Sequence, residues 1–345
     1  MGNEKRQGIG LRFLLMAAAM VVVIAGLRTA QSILVQFLIA VFLAVLCSPI
    51  VIWLRRHRVP TILAVLLVVL VLMALIAGLA AVVGTSVNQF TEAIPKYQQR
   101  LNGIAGSTSE WLGAHHVDVS RLDIFKVISP GSMLGMLGGA LRGFVSALSN
   151  TAVVLLILVF ILLEIGELPA RLQLAFGGGD ADVARYERMT AQVQQYLGIK
   201  TMSSLLTGLV IGVWLAILGV DFAVLWGVLA FLLNYIPNIG SIIAAVPAVL
   251  LAFIQLGVGR AVAAAIGYLV VNMIVGNFLE PALMGRKLGL STLVVFLSLV
   301  FWGWVWGPVG MLLSVPLTMV VKISLENSDE LRWVAVLMDS RVPEE

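Results

Sequence analysis

Asn234, Asn238 and Ser241 place amide and hydroxyl groups inside an otherwise apolar stretch, Phe222–Ile254, with Pro237 and Gly240 among them. Such groups donate and accept hydrogen bonds without carrying charge. The chemistry open to them is recognition of a small, polar, uncharged solute. A second set, Asn272, Gly276, Asn277 and Glu280, falls within a ~140° sector of one helix at about 100° per residue. Amides are costly against lipid, so this sector is expected to face protein or a cavity. Glu164 and Glu280 are the carboxylates that could carry a proton or pair with Na⁺; Glu164 is expected at a solvated helix end, which makes Glu280 the coupling candidate. A third set, Lys200, Ser203, Ser204, Thr207 and Gly208, shares one face of another helix, and small residues there also serve close packing. Glu280 and Lys287 lie toward the same end of their segment, where a charge pair could form.

Other chemistries find little support. The three histidines, His57, His115 and His116, lie in loops, and no His/Glu metal pair or nucleophile–base pair stands out. Neither a metal nor another cofactor is expected, and an enzyme is the least favoured class. Gly177-Gly178-Gly179 lacks the preceding strand and following Lys-Ser/Thr of a phosphate loop, which disfavours ATP-driven pumping. The single cysteine, Cys47, cannot form an intramolecular disulfide.

The composition, 60% hydrophobic and 12% charged over 345 residues, is that of a polytopic membrane protein. A net charge of +4 then reflects basic cytoplasmic loops, and nucleic acid need not be invoked. Full spans are expected at Phe13–Leu27, Ile33–Leu54, Thr61–Val83, Val145–Leu163, Ile199–Leu218 and Ala261–Leu279. Arg55, Arg56 and Arg58 form a cytoplasmic anchor, and Pro60 starts the third span. Gly84–Leu148 is too polar to span and is expected to form short amphipathic helices on or outside the membrane. Asp182–Gln195 is expected as a separate soluble helix.

Two further stretches are apolar at both ends and broken in the middle. Phe222–Ile254 carries Trp226-Gly227, then Pro237 and Gly240, then Val246-Pro247. Thr292–Lys322 carries Trp302-Gly303, then Pro308 and Gly310, then Val315-Pro316, and its tip, Trp306-Gly307-Pro308, offers mainly backbone. As a straight helix, Phe222–Ile254 would run roughly 50 Å, beyond a hydrocarbon core of about 30 Å. Proline removes a donor, glycine permits a turn, and open backbone at membrane depth survives only against protein or a water-filled cavity. Both stretches are therefore expected as re-entrant hairpins, each following an unbroken span. A span plus a broken hairpin used twice is a transporter-like repeat. With the N-terminus inside and both stretches as hairpins, 15 Lys and Arg fall inside and 7 outside. That makes the repeats inverted, with the first hairpin entering from outside, the second from inside, and a site near the midplane.

The expected fold is thus an all-α polytopic membrane protein: about six full spans, two re-entrant helical hairpins in an inverted repeat, and a small extramembrane helical segment. Residues 1–83 hold N-terminal spans, 84–148 the extramembrane segment, and 149–198 the fourth span with a cytoplasmic helical segment. Residues 199–254 and 261–322 are the two repeats, and 323–345 a cytoplasmic C-terminal tail.

Several motifs carry a resemblance. Leu43–Pro60, with Ser48-Pro49 and Leu54-Arg55-Arg56 before Val59-Pro60, resembles the start of the autoinducer-2 exporter family. Asn234–Ser241, Gly276–Pro281, Gly285–Leu290, Phe301-Trp302-Gly303 and Gly307–Pro316 are similar to its later signatures. The resemblance implies a multi-pass protein of the bacterial inner membrane and a homo-oligomer, with a pentamer as one form. It implies export of a small polar signal such as autoinducer-2, which fits the neutral residue inventory. Some relatives in the family are assigned sodium or lithium/proton antiport, so a monovalent cation/proton antiporter is the rival reading. A non-transporting receptor or scaffold is the alternative from another class. The expected partners are a small polar solute, the lipid bilayer and a coupling proton or Na⁺.

Overall fold

The computed structural model describes residues 18–114, 151–164, 180–237, 239–284, 290–326 and 331–339, with a few single positions besides, and is helical in these stretches. The helices are α1 (Ala18–Thr29), α2 (Gln31–Arg56), α3 (Thr61–Ala114), α4 (Ala152–Glu164), α5 (Asp180–Leu218), α6 (Ala223–Leu233), α7 (Gly240–Leu256) and α8 (Val258–Asn272). A π-helix (Met273–Leu279), α9 (Glu280–Met284), α10 (Thr292–Glu326) and α11 (Arg332–Met338) follow. Five helical segments are long and apolar enough to cross a membrane: 31–56, 61–104, 190–218, 258–283 and 292–326. α1, α4, α6 and α7 are shorter apolar helices. The chain forms two compact units, residues 57–152 with 195–288, and residues 1–56 with 153–194 and 289–345.

In the first of these units α3 does not stop at Val83, where short separate helices were expected to begin. It runs on for 54 residues in all, because its apolar stripe continues through the polar-looking sequence. Val83, Val87, Phe90, Ile94, Tyr97 and Leu101 recur every three or four residues and face the core. Phe90 lies edge-on to both Phe222 and Trp226, at 5.8 and 6.2 Å between ring centroids. Phe222 itself is held at φ 60°, a left-handed conformation that costs an aromatic residue about 1–2 kcal/mol. With Gly219 at φ 76° it turns the chain from α5 into α6. α5 likewise absorbs the soluble helix expected at Asp182–Gln195 and continues unbroken to Leu218.

The stretch from α6 to α7 folds back on itself. Its two ends are held together: the Asp221 N–H donates to Gln255 Oε1 at 2.9 Å, and Gln255 Nε2 donates to the Gly219 carbonyl at 3.2 Å. Arg100 of α3 adds a 2.6 Å bond to the Gln255 carbonyl, and the Tyr97 hydroxyl bonds Asp221 at 2.7 Å. A straight helix of this length would separate those ends by about 50 Å. The extension of α3 thus serves to fasten the open end of the folded stretch.

In the other unit α10 does the same. Gly307 has φ 65° and ψ −146°, a conformation essentially restricted to glycine, and interrupts the helix there. The Ser291 N–H bonds the Met338 carbonyl at 2.9 Å, and Lys322 Nζ bonds Asp339 Oδ2 at 2.9 Å. Consecutive residues of the C-terminal segment thereby touch both ends of α10, which a straight 35-residue helix of about 52 Å could not allow. The tryptophans near this turn pack structurally. Trp302 and Trp306 stack at 4.8 Å, Trp302 Nε1 bonds Thr318 Oγ1, and Trp306 Nε1 bonds the Leu27 carbonyl. That carbonyl lies where α1 gives way to α2 at Ala30. Arg28 sits 4.9 Å from the centroid of the Trp304 ring.

The two turns share one construction. A Cβ on Gly240 would lie 2.6 Å from the Leu233 carbonyl carbon and 3.1 Å from Ile236 Cβ. A Cβ on Gly310 would lie 2.7 Å from the Trp302 carbonyl carbon and 3.1 Å from Trp306 Cβ. In each, a glycine lets the returning arm press on the backbone end of the arriving one. Gly240→Ala and Gly310→Ala should therefore each lower the melting temperature of detergent-purified protein. Gly78→Ala, with nothing within 4 Å of the new methyl, should leave it unchanged or raise it. Phe90 is 1% exposed, so Phe90→Ala should cost about 3–5 kcal/mol by the same measurement. Neutral behaviour would mean that the α3 extension lies outside the core.

Candidate functional site

The polar face predicted on α5 is buried, and two other elements close over it. Ser203 and Ser204 are wholly buried, Thr207 is 2% exposed and Lys200 6%. Gly208 lets α6 approach: a Cβ there would stand 2.6 Å from both the Gly227 carbonyl oxygen and Phe231 Cβ. The stripe serves close packing and polar contact together. Its small residues bring α6 near enough for the polar ones to reach the break beyond it. Asn234 Nδ2 donates to Ser204 Oγ at 3.0 Å, and the Tyr235 hydroxyl donates to Thr201 Oγ1 at 2.7 Å.

On the other side stands Glu280. Its Oε1 accepts from Lys200 Nζ and from Ser203 Oγ, each at 2.7 Å. The two charged side chains are only 7% and 15% exposed, so this is a buried ion pair with a hydroxyl completing it. Among the described residues no donor reaches Glu280 Oε2. Lys287, the partner considered from sequence, lies outside the described residues. The partner found is Lys200, eighty positions away and on another helix.

Pro281 explains the shape of the segment that carries Glu280. Proline has no N–H for the Asn277 carbonyl, its usual helical partner, and its ring crowds that carbonyl. The helix widens, and the Glu280 N–H bonds back five residues to Val275. The π-helix over Met273–Leu279 results, a rare geometry found mainly at functional sites. It points Val275 into the core and leaves Gly276 and Asn277 exposed on the opposite side.

The remaining expected site residues are distributed as follows. Pro237, Ser241 and Asn272 are half-buried and Gly240 is buried, while Asn238 lies outside the described residues. Asn234 and Glu280 are joined through Ser203 and Ser204 of α5. Gly307, Pro308 and Gly310 form the turn of the other unit, with Pro308 exposed and Gly310 buried. Two buried hydroxyls, Thr207 Oγ1 and Tyr268 Oη, lack a hydrogen-bond partner among the described residues. Sequence reasoning placed Thr207 on the right face and passed over Tyr268, Thr201 and Tyr235. Thr201, adjoining Lys200 on the same helix, was the available signal.

A long apolar chain with broken, folded-back helices and a polar cluster within them is the build of a membrane transporter. Residues 14–330 match the model of the AI-2E family transporter, and the chain belongs to that family. It is 42% identical to the AI-2 transport protein TqsA of Escherichia coli K12 over 95% of this chain and 96% of that one. It is 40% identical to a putative transport protein of Haemophilus influenzae, covering 95% and 96%. With the putative transport protein YhhT of Escherichia coli K12 the identity is 37%, covering 95% and 94%.

Breaking a buried pair by removing one partner strands the other charge, at a cost of about 3–5 kcal/mol. Lys200→Met should therefore destabilise the protein more than Lys200→Met combined with Glu280→Gln. Melting temperatures of the single and double variants in detergent test this. Additive losses would mean that the two groups do not depend on each other.

Proposed function

We propose that this protein is a secondary transporter that exports a small, polar, uncharged solute, autoinducer-2 or a molecule of that kind, across the bacterial inner membrane by alternating access. The observation that carries the reading is the pair of folded-back helical stretches built on the same glycine contact. In a bilayer, arms this short do not cross comfortably, and the opened backbone at each turn must find partners other than lipid. Both stretches are then re-entrant hairpins. The Lys and Arg count supports an inverted arrangement, with the open end of the first at the outer face and that of the second at the inner face. Inverted hairpins give a transporter two gates related by symmetry. The similarity to TqsA supports autoinducer-2 as the solute.

The solute site in this reading is the polar face of α5 with the first break. Asn234, Ser204 and Thr207 offer neutral donors and acceptors. Glu280 Oε2 offers a strong acceptor for a solute hydroxyl, and the half-buried Asn272 and Ser241 line the approach. Glu280 is also the group that couples transport to a proton or Na⁺. Lys200 pairs with it at 2.7 Å, and a movement that separates the pair frees the carboxylate. This favours one rival: if the free carboxylate takes up only cations, the protein is a monovalent cation/proton antiporter. The assembly is a homo-oligomer.

Purified protein in liposomes tests the proposal, with autoinducer-2 and Na⁺ fluxes followed with and without an imposed proton gradient. Gradient-driven autoinducer-2 flux that Glu280→Gln uncouples is the expected outcome. Na⁺ flux without autoinducer-2 flux would establish the antiporter. No flux of either would remove the transport reading for these solutes.

A further inference from the structure

The C-terminal helix α11 is apolar on both sides. Ala335 is 1% exposed and packs toward α10. The opposite side carries Trp333, Val336 and Leu337, which are 62%, 47% and 69% exposed, with Arg332 beside them. A short helix in water would not hold a tryptophan and a leucine one turn apart on its outer face without a partner to cover them.

The position of α11 says what the partner is. Its end is bonded at Met338 to the Ser291 N–H and at Asp339 to Lys322, the residues that bracket the two ends of α10. Lys322 is buried, reached by Asp339 at 2.9 Å and by Glu326 at 3.4 Å, and it marks where the apolar run of α10 gives way to charge. If α10 is a membrane hairpin, both of its ends emerge at one bilayer surface, and α11 is fastened at that level. We infer that α11 is an interfacial helix whose outer face sits in the headgroup layer of the lipid bilayer. A tryptophan and an arginine on that face suit this layer, the ring body in the acyl boundary and the guanidinium among phosphates. The C-terminal segment is therefore a lipid-anchored clasp on the two ends of the second hairpin, rather than a tail free in the cytoplasm.

The inference rests on α10 lying in the membrane, and not on the identity of the solute. To test it, single cysteines at Trp333 and Leu337 are labelled with an environment-sensitive fluorophore in a Cys47→Ala background. The protein is placed in phosphatidylcholine liposomes whose lipids carry a quencher near the headgroup or deep in the chain. Labels at Leu293 and Phe296, exposed on α10, report separately on the hairpin. The expected result is strong loss of emission at Trp333 and Leu337 with the shallow quencher, less with the deep one, and little with aqueous iodide. Quenching by iodide alone, or resistance to every quencher with cross-linking between copies through Leu337→Cys, would overturn the inference. If the α10 labels escape both lipid quenchers, the membrane reading of the hairpin falls instead. Asp339→Asn, which leaves the outer face untouched, should loosen the clasp and make the Trp333 label more accessible to iodide.

Discussion

A peptide group opened in a bilayer has no water to bond, and this constraint orders the rest of the structure. The chain opens its backbone at two places in long apolar stretches. At each, a glycine lets the returning arm press on the backbone end of the arriving arm. The arms cannot simply diverge, because their far ends are tied by Asp221–Gln255 in one case and through Lys322–Asp339 in the other. Each turn is thus set at its tip by glycine and at its mouth by hydrogen bonds. The parts that fasten the mouths, the extension of α3 and helix α11, become necessary as a result.

The same constraint explains the polar cluster. Once the first stretch breaks at Asn234, the side chains beside the break need partners, and α5 supplies Ser204 and Thr201. Pro281 breaks the ladder on the facing segment and produces the π turn that leads into Glu280. Lys200 meets Glu280 there, so two separately interrupted helices are joined to one intact helix by one buried ion pair and its flanking hydroxyls. A pair of this kind adds little to stability beside a well-packed apolar contact.

Much of this was legible in the sequence, and the reasons differ by residue. Proline and glycine act locally, so Pro237 with Gly240 and Pro308 with Gly310 marked both turns without tertiary information. The polar stripe on α5 was legible because helical periodicity puts Lys200, Ser203, Ser204 and Thr207 on one side. The length of α3 was not, since Asn88, Gln89, Glu92 and Lys96 lower the average hydropathy. They hid the regular spacing of Val83, Val87, Phe90, Ile94, Tyr97 and Leu101. The partner of Glu280 was not legible either. Lys287 is close along the chain, whereas Lys200 is close only after α5 and the π segment have packed, and a single sequence carries no sign of that.

The inverted arrangement of the two hairpins is the central claim, and labelling from each side of the membrane tests it most directly. Single cysteines at Val258, which follows the first folded stretch, and at Arg332, which follows the second, are introduced in a Cys47→Ala background. They are then exposed to a membrane-impermeant thiol reagent in intact cells and in inverted vesicles. The account predicts that Val258→Cys reacts in intact cells and Arg332→Cys only in inverted vesicles. Reaction of Val258→Cys only in inverted vesicles, or of Arg332→Cys in intact cells, would mean that at least one of the two stretches crosses the membrane, and it would contradict the account.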